Sequence, residues 1–388
     1  MRRMRRSFPS PVLASWLLLS IGLLPGASRA QSTSDMATQR YVPPTQITFT
    51  SWTGPYMRSQ MLGFVRPYEA QADNIEVTVE RYNGGIDEIR DQVESANVKW
   101  DVVDLTQADS LRACNEGLLE DLSDIQLPDG ADGTKFKDDF VDGALNPCGV
   151  GVIVWATAFA YSKDAYPENP PSTIEDFFDV EKYPGSRSIR HDPTVIMEWA
   201  LMADGVARDK VYATLETDEG VERALKKMDA IKPGLQIWRA GREPVRQLNG
   251  GDASMSMIWA TTGAVASREE GANFEMVWDG RVIELDLFGI PKGSRHKQAA
   301  IDFIKFASSS QSLADMAKYL PNGPTRKSSL GLLPDDILAQ IPNGPAYDDK
   351  ISIRSDAQWW SKNHARLELA FNDWLAKTAR KGASGTVR

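Results

Sequence analysis

The sequence predicts an α/β protein with two lobes, and three observations support that prediction. The chain has 388 residues, and the roughly 358 that follow an N-terminal leader exceed what one hydrophobic core usually organises. Its first part alternates strand and helix segments, which is typical of a lobe built on a mostly parallel sheet. The long apolar segment from Gly151 to Tyr161 suits a strand that crosses from one lobe to the other.

Five segments between residues 46 and 105 predict the first lobe. The strand segments are rich in β-branched residues, whereas the helix segments repeat apolar residues at a spacing of three and four. In chain order they are strand Gln46–Ser51, helix Met57–Gln71, strand Asn74–Glu80, helix Ile86–Val93 and strand Trp100–Leu105. No glycine-rich phosphate-binding motif follows the first strand, so a nucleotide site is not predicted.

The second half of the chain predicts further helices and strands. Ser172 is the candidate N-cap of a helix over Thr173–Phe178. Asp279-Gly280 predicts a hairpin turn between the strands Asn273–Trp278 and Val282–Ile290. The other predicted elements are helices Met197–Ala203, Val221–Ile231, Ala299–Ala307, Ser312–Tyr319 and Ala357–Lys377, and strand Ala253–Trp259.

Residues 1–30 have the three parts of a secretory signal peptide. Four arginines precede an apolar stretch, Val12–Leu24, and Ser28-Arg29-Ala30 supplies small residues for cleavage before Gln31. The stretch is shorter than the roughly 20 residues that span a bilayer. The leader has no cysteine for a lipid anchor, and Arg5-Arg6 leaves a twin-arginine export route open beside the general one. We expect a periplasmic protein that begins with a flexible arm over residues 31–44.

The chain after the leader is acidic. The leader holds five of the 44 basic residues and none of the 53 acidic residues, so the remainder carries a net charge of −14. This charge argues against nucleic acid or an anionic membrane as a partner. It suits a cationic ligand, although exported proteins are often acidic for solubility alone.

Catalytic and metal-binding patterns are scarce. The two cysteines, Cys114 and Cys148, predict a disulfide because an exported protein folds in an oxidising compartment. The histidines, at positions 191, 296 and 364, form no zinc-ligand pattern, and no G-x-S-x-G motif is present. We therefore expect a protein that is not an enzyme and needs no cofactor or metal.

Aromatic residues are the most distinctive remaining feature. Ten tryptophans follow the leader, and Trp52, Trp155, Trp259 and Trp278 lie near predicted strand ends or loops. Such residues pack in cores, or they line a cleft for an alkyl or ammonium ligand. The pattern alone leaves both interpretations open.

From about Ile47 to Leu375 the chain resembles the periplasmic substrate-binding proteins of ABC importers of the spermidine/putrescine-binding type. No single motif is specific, but several occur in the family's order. They are Ser51-Trp52-Thr53, Trp100-Asp-Val-Val, Asn115-Glu-Gly-Leu-Leu-Glu-Asp-Leu, Trp155-Ala-Thr, Ala160-Tyr161, Lys182-Tyr-Pro-Gly-Ser, Met257-Ile-Trp259, Ile290-Pro-Lys-Gly-Ser, Ala300-Ile-Asp-Phe-Ile-Lys-Phe, Asn322-Gly-Pro-Thr and Trp359-Trp360.

The resemblance implies the periplasmic binding protein fold, with two lobes joined by a hinge and a ligand cleft between them. Lobe one is expected over residues 45–153 plus 284–322, and lobe two over 154–283 plus 323–388. The implied function is capture of a small organic cation, such as a polyamine, and its delivery to membrane permease subunits. The mature protein would not insert into the membrane.

The resemblance also implies ligand-binding residues. Trp52, Tyr56 and Trp259 match or lie near aromatic cleft positions, and Asp192 and Asp286 match acids that bind amines. Departures from the polyamine binders are Val195 for a glutamate, Glu284 for a tryptophan, Thr106 for a serine, Ala108 for a tyrosine and Asn322 for a tyrosine. With the aromatic candidate Trp155, the predicted site is Trp52, Tyr56, Trp155, Asp192, Trp259, Glu284, Asp286 and Asn322.

Other functions stay open on the sequence. The ligand of an importer of this type could instead be an opine, an amino-acid derivative, a phosphonate or thiamine. A sensory protein that presents its ligand to a membrane kinase would show the same features. An exported hydrolase is disfavoured because no catalytic grouping of His, Ser or Cys is present.

Overall fold

The computed structural model of this protein describes residues 43–269, 271–345 and 352–383. The predicted leader and almost all of the predicted arm lie outside the described residues. The fold below is that of the unit Pro44–Arg388.

The described residues form strands and helices that alternate through most of the chain. The strands are β1 Thr45–Ser51, β2 Ile75–Arg81, β3 Val102–Thr106, β4 Leu145–Asn146, β5 Gly149–Ser162, β6 Arg187–Arg190, β7 Gln236–Trp238, β8 Met255–Trp259, β9 Phe274–Gly289, β10 Gly323–Pro324 and β11 Ser352–Arg354. The helices are α1 Pro55–Gln60, α2 Arg66–Gln71, α3 Asp87–Glu94, α4 Gln107–Asn115, α5 Phe136–Asp139, α6 Ile174–Phe178, α7 Ile196–Ala203, α8 Val211–Leu215, α9 Asp218–Met228, α10 Glu243–Gly250, α11 Ala260–Glu269, α12 Lys297–Ala307, α13 Ser310–Tyr319, α14 Asp335–Leu338 and α15 Ala357–Ala383. A π-helical turn, Met61–Val65, joins α1 to α2.

The strands form one mixed sheet in the order β2-β1-β3-β9-β5-β8-β6-β7. The outer strands are parallel: β1 pairs with β2 and β3, and β6 pairs with β7 and β8. In the centre of the sheet the pairs are antiparallel: β9 pairs with β3 and β5, and β5 pairs with β8. The prediction of parallel strands is therefore right for the outer parts of the sheet and not for its centre.

Two hydrophobic cores share the long strands β5 and β9. The first core takes Val154 from β5 and Leu285 from β9, and the second takes Phe159 and Val282 from the same two strands. β5 is apolar over nearly its whole length, as the segment from Gly151 to Tyr161 indicates, whereas β9 also carries charged residues such as Glu284 and Asp286. This arrangement agrees with the predicted two-lobed α/β fold.

Helix α15 shows how the sequence pattern builds the second core. Trp360, Leu367, Phe371 and Trp374 are buried, and their spacing of seven, four and three residues places them on one face of the helix. They pack in the second core, while the exposed residues of the helix are polar or small apart from Leu369. The predicted helix Ala357–Lys377 is thus confirmed and continues to Ala383.

The predicted hairpin at Asp279-Gly280 is wrong, because β9 continues through it. The chain bulges here: Thr157 pairs with Val282, whereas Phe159 pairs with Val277. The bulge is fixed from outside the sheet, since the Gly280 carbonyl accepts a hydrogen bond from Trp199 Nε1 at 2.7 Å. Gly280 has φ +72°, and a Cβ there would lie 2.6 Å from Ile174, so only glycine fits.

The start of α6 also differs from the prediction. Thr173, not Ser172, is the N-cap, and its side chain and that of Asp176 form a capping box. Ser172 instead donates its backbone N–H to the Asp176 carboxylate at 2.8 Å. Ser172 and Thr173 both have the hydroxyl that favours an N-cap. Asp176 lies three positions after Thr173, the spacing of a capping box, and this favours Thr173.

The lobe boundaries remain a proposal, and the packing suggests one change. Residues after Asn322 stay with the first core: Thr325 Oγ1 donates to the Gly151 carbonyl at 2.8 Å, and Arg326 pairs with Asp139 at 3.0 Å with both side chains buried. We propose that lobe one extends to about residue 345, so that lobe two resumes in the segment that leads to α15.

The predicted disulfide is confirmed. Cys114, in α4, is bonded to Cys148, just before β5, with 5.7 Å between their Cα atoms. It closes a loop of 34 residues and ties the first-lobe helix α4 to the start of the crossing strand. Within the described ranges no helix is both long and apolar enough to cross a bilayer.

We predict that the double substitution Cys114→Ala/Cys148→Ala lowers the free energy of unfolding by about 4 kcal/mol, because it restores the loop entropy of the unfolded chain. Urea unfolding of both proteins measures the difference. Adding a reductant should lower the free energy of unfolding of the wild type by a similar amount and leave that of the double variant unchanged. Equal stability of the oxidised wild type and the variant would contradict the prediction.

Candidate ligand-binding cleft

A cleft of about 430 Å³ opens where the two hydrophobic cores meet. Its lining comes from the carboxyl ends of β1, β3, β6 and β8, where an open α/β sheet usually binds ligands, and from the middle of β5 and β9. The lining residues are Trp52, Thr53, Gly54, Pro55, Tyr56, Thr106, Ile153, Trp155, Arg190, Ala240, Gly241, Arg242, Val245, Trp259, Thr261, Thr262, Val265, Ala266, Asp286, Leu320 and Asn322.

The rings of two tryptophans in the lining pack closely against the backbone of glycine residues. A Cβ on Gly84 would lie 2.0 Å from the Trp52 ring, and a Cβ on Gly241 would lie 2.6 Å from the Trp259 ring. Gly84 also has φ +83°, which favours glycine. These close approaches fix both rings, so the aromatic faces of the cleft are preformed.

A buried carboxylate, Asp286, lies at the centre of the cleft. It is on β9, opposite Thr106 on β3 and Ile153 on β5. Its Oδ1 accepts a hydrogen bond from Trp155 Nε1 at 2.9 Å. Burial, together with the negative charge of Asp104, raises the pKa of Asp286 well above its usual range.

Asp104, on β3, is fully buried behind the cleft lining. Its Oδ2 accepts hydrogen bonds from Ser51 Oγ at 3.0 Å, Tyr56 Oη at 2.8 Å and Gln60 Nε2 at 2.6 Å. Burial raises the pKa of Asp104 to about 7, and these three donors oppose the rise. The hydrogen bond fixes Tyr56, whose own pKa is raised well above 10 by burial and by Asp104, so its hydroxyl stays protonated.

Two arginines line the same cleft. Arg190 ends β6, and its guanidinium lies 5.5 Å from the centre of the Trp259 ring. Arg242 precedes α10. Both belong to elements of the second lobe, whereas Asp104 and Tyr56 belong to elements of the first. The cleft therefore has an acidic side and a basic side.

Two buried polar atoms of the lining have no hydrogen-bond partner among the described residues. They are Trp52 Nε1 and Asn322 Oδ1. A buried donor or acceptor without a partner costs about 1–3 kcal/mol. One donor and one acceptor are thus available to a polar ligand.

The structure brings six of the eight predicted site residues together. Asp192 and Glu284 lie outside the lining, and the six that line the cleft are Trp52, Tyr56, Trp155, Trp259, Asp286 and Asn322. Of the acids Asp192, Glu284 and Asp286, the described lining includes Asp286 alone.

Asp192 is engaged in its own loop. Its Oδ1 accepts hydrogen bonds from the Thr194 backbone N–H at 2.9 Å and from Thr194 Oγ1 at 2.5 Å, and its Oδ2 lies 3.6 Å from His364 Nε2. Burial acts to raise the pKa of Asp192, but the contact with His364 and the charge of Arg190 outweigh it and hold that pKa well below its usual range. These partners leave it a structural role beside Arg190.

Glu284 is half-buried beneath the lining, opposite Trp155 in the pairing of β5 with β9. Burial raises the pKa of Glu284 to about 8, and Arg190 opposes the rise. Val195, the departure next to this region, is buried in the second core with φ +72° and offers the cleft no polar group.

Asp104, Arg190 and Arg242 are absent from the sequence-predicted site. A signal for Asp104 was present, because an acid inside the apolar segment Val102–Leu105 has to be paired or protonated when buried. Arg190 was missed because β6 itself was not predicted. Arg242 is exposed in a loop, where no apolar periodicity or motif marks it as a binding residue.

Metal binding finds no support in the part of the chain that the structure describes. No three of its His, Cys, Asp or Glu residues are grouped as metal ligands. The described lining also contains no histidine, cysteine, serine or lysine. Binding of a solute by hydrogen bonds, charge and aromatic contact is the chemistry that this lining can perform.

Glu198, a second-lobe acid outside the cleft, provides a test of the local electrostatics. It is fully buried and accepts hydrogen bonds from Trp360 Nε1 at 2.7 Å and Tyr212 Oη at 3.1 Å. Burial raises the pKa of Glu198 from 4.5 to about 7. The folded protein thus binds a proton here that the unfolded chain releases, and stability falls as the pH rises from about 4.5 through 7.

We predict that, when the pH rises from 5 to 8, the free energy of unfolding falls by about 2–3 kcal/mol less in Glu198→Gln than in the wild type, because glutamine does not titrate. Urea unfolding at pH 5 and pH 8 measures the loss in each protein. Glu222→Gln, at an exposed acid on α9, is the matched control and should behave as the wild type. An equal loss in Glu198→Gln and the wild type would show that Glu198 is already ionised at pH 5.

Comparison with known proteins agrees with this geometry. Residues 63–343 match the model of the bacterial extracellular solute-binding protein family. A gamma-aminobutyric acid-binding protein of Pseudomonas aeruginosa is 34% identical over 332 residues, which cover 85% of this chain and 91% of that protein.

Two solved structures show the same fold. The PBP MotA from A. tumefaciens B6, in complex with glucopine, has a TM-score of 0.75 and 27% identity. An ABC transporter substrate-binding protein from Bradyrhizobium japonicum USDA 110 has a TM-score of 0.75 and 29% identity. Each match covers 85% of this chain and 99% of the other. The chain belongs to the bacterial extracellular solute-binding protein family.

Proposed function

We propose that this solute-binding protein captures a small zwitterion, with an ammonium group and a carboxylate joined by a short apolar chain, in the periplasm. It then delivers the ligand to the permease of an ABC importer. The observation that carries the proposal is the presence of buried acids and two arginines in one aromatic cleft. The relatives named above, which include an amino-acid binder and a transporter component, support both the ligand class and the transport role.

The ammonium group fits the acidic side of the cleft. Asp286 is buried and pairs with no described lysine, arginine or histidine, so a ligand cation would neutralise it. The ring faces of Trp52 and Trp155 lie in the same lining and suit both an ammonium and methylene groups. Asn322 Oδ1 offers a further acceptor for an N–H group.

The carboxylate fits the basic side of the cleft. Arg190 and Arg242 can form charge-assisted hydrogen bonds with it, and Arg190 is already oriented by its contact with Trp259. A polyamine, the ligand that the sequence predicts, would place its second ammonium near these guanidinium groups. Because like charges repel in a partly dry cleft, we revise that prediction to an amino-acid derivative, which was among its alternatives.

Three ligands with the same four-carbon backbone test the ligand class. We expect 4-aminobutanoate to bind saturably in isothermal titration calorimetry. We expect 1,4-diaminobutane and succinate to bind at least about 100-fold more weakly. The second ammonium of the diamine would face the arginines, and the second carboxylate of succinate would face Asp286. Binding of the diamine in preference to the amino acid would restore the polyamine prediction. Binding of succinate in preference would contradict an acidic side.

We predict that Arg190→Gln weakens 4-aminobutanoate binding about 10- to 100-fold, because it removes a charged hydrogen-bond partner of the carboxylate. Arg268→Gln is the matched control, since Arg268 is exposed on α11, a helix that also contributes to the lining. Calorimetric dissociation constants of the two variants give the comparison. Equal affinities would show that the carboxylate lies elsewhere.

A further inference from the structure

Asp104 and Asp286 form a pair of buried carboxylates on neighbouring strands. In the antiparallel pairing of β3 with β9, Asp104 lies opposite Phe288 and Thr106 lies opposite Asp286. The two aspartates are therefore diagonal neighbours whose side chains emerge on the same face of the sheet, at a spacing of roughly 7–8 Å between such positions. Asp286 lines the cleft, and Asp104 lies directly behind the lining.

The surroundings of the pair contain acids and neutral donors. Asp109 on α4 adds negative charge, Glu284 on β9 adds it when ionised, and Tyr56 on α1, Tyr82 after β2 and Trp155 on β5 are neutral. Neither aspartate forms an ion pair with a described basic residue; the arginines of the cleft belong to the opposite side. Two carboxylates in such a place cannot both remain charged without a cation.

The hydrogen bonds around Asp104 leave one of its oxygens for a proton. Oδ2 accepts all three side-chain donors, from Ser51, Tyr56 and Gln60. Oδ1 is buried and has no hydrogen-bond partner among the described residues. The raised pKa of both aspartates, caused first by burial, agrees with a proton bound to one of the two near neutral pH.

We propose that the ligand's ammonium group replaces a proton held by the Asp104–Asp286 pair. The proton passes to solvent as the ammonium N–H groups bond to Asp286, so the net charge of this side of the cleft is unchanged by binding. Asp286 contacts the ligand, and Asp104 is a positioning residue that determines whether Asp286 meets the ligand as a full anion. The inference rests on the proposed zwitterionic ligand.

The exchange makes affinity depend on pH in a defined direction. Below the pKa of the pair, a ligand has to displace a proton, so affinity falls as the pH falls, by up to tenfold per pH unit for one proton. Above that pKa the pair is already ionised, and affinity becomes constant. The ammonium and carboxylate of 4-aminobutanoate titrate near 10 and 4, so neither supplies the proton at pH 6–7.

Calorimetry in two buffers counts the protons directly. Titration of the full protein with 4-aminobutanoate at pH 6.5, in phosphate and in Tris, should give binding enthalpies whose difference corresponds to release of about one proton. Asp104→Asn should release fewer protons than the wild type and bind with an affinity that depends less on pH. Glu284→Gln, which removes the acid two residues before Asp286 on β9, should release as much as the wild type.

A milder variant tests the role of Asp104 without removing its charge. Ser51→Ala deletes one donor that favours the ionised carboxylate and lies outside the cleft lining. The midpoint of its affinity-against-pH curve should move to higher pH. A purely structural role for Ser51 would lower affinity equally at all pH values.

Three results would overturn the inference. Saturable binding without proton release by the wild type would overturn it and leave the proposed function intact. Release by Asp104→Asn equal to that of the wild type would remove Asp104 from the mechanism. Failure of 4-aminobutanoate to bind at any pH would overturn the proposed function and, with it, the inference.

Discussion

The pairing of β5 with β9 determines where every other part of the site lies. The two strands run side by side from the first core, at Val154 and Leu285, to the second core, at Phe159 and Val282. The same ladder carries Trp155 and Asp286 into the cleft. Because the bulge at Gly280 adjusts the register between the cores, the apolar residues of both halves can face inward.

The cleft gathers charges that neither lobe could hold alone. The first lobe contributes acids that are buried and have no described basic partner, and the second contributes arginines beside an aromatic ring. Because the two sets lie on different sides of the cleft, a ligand that carries both charges can contact both of them. Ligand charge, rather than new contact area alone, would then favour closure of the lobes.

Periodic segments were predictable from the sequence, and local alternatives were not. The strands β1, β2, β3 and β8 and the helix α15 follow from apolar spacing, which depends only on neighbouring residues. The hairpin predicted at Asp279-Gly280 failed because Ile174 and Trp199, distant in sequence, hold that glycine in a bulge. The short strand β6, and with it Arg190, was missed because its pairing depends on β7 and β8.

The candidate site was predictable in its aromatic part and less so in its charged part. Trp52, Trp155 and Trp259 lie in the cleft as expected, since large rings near strand ends either pack or line a cavity. The acids were harder, because Asp192 is satisfied by Thr194, two residues on, and by His364, which the sequence does not place beside it. Asp104 needed its burial to be known before its importance was evident.

A crystal structure of the protein with 4-aminobutanoate tests the central claim most directly. The account predicts that the ligand nitrogen lies within hydrogen-bond distance of the Asp286 carboxylate and that the ligand carboxylate contacts Arg190 or Arg242, with the chain between the tryptophan rings. A ligand bound in the opposite orientation, or outside this cleft, would contradict it.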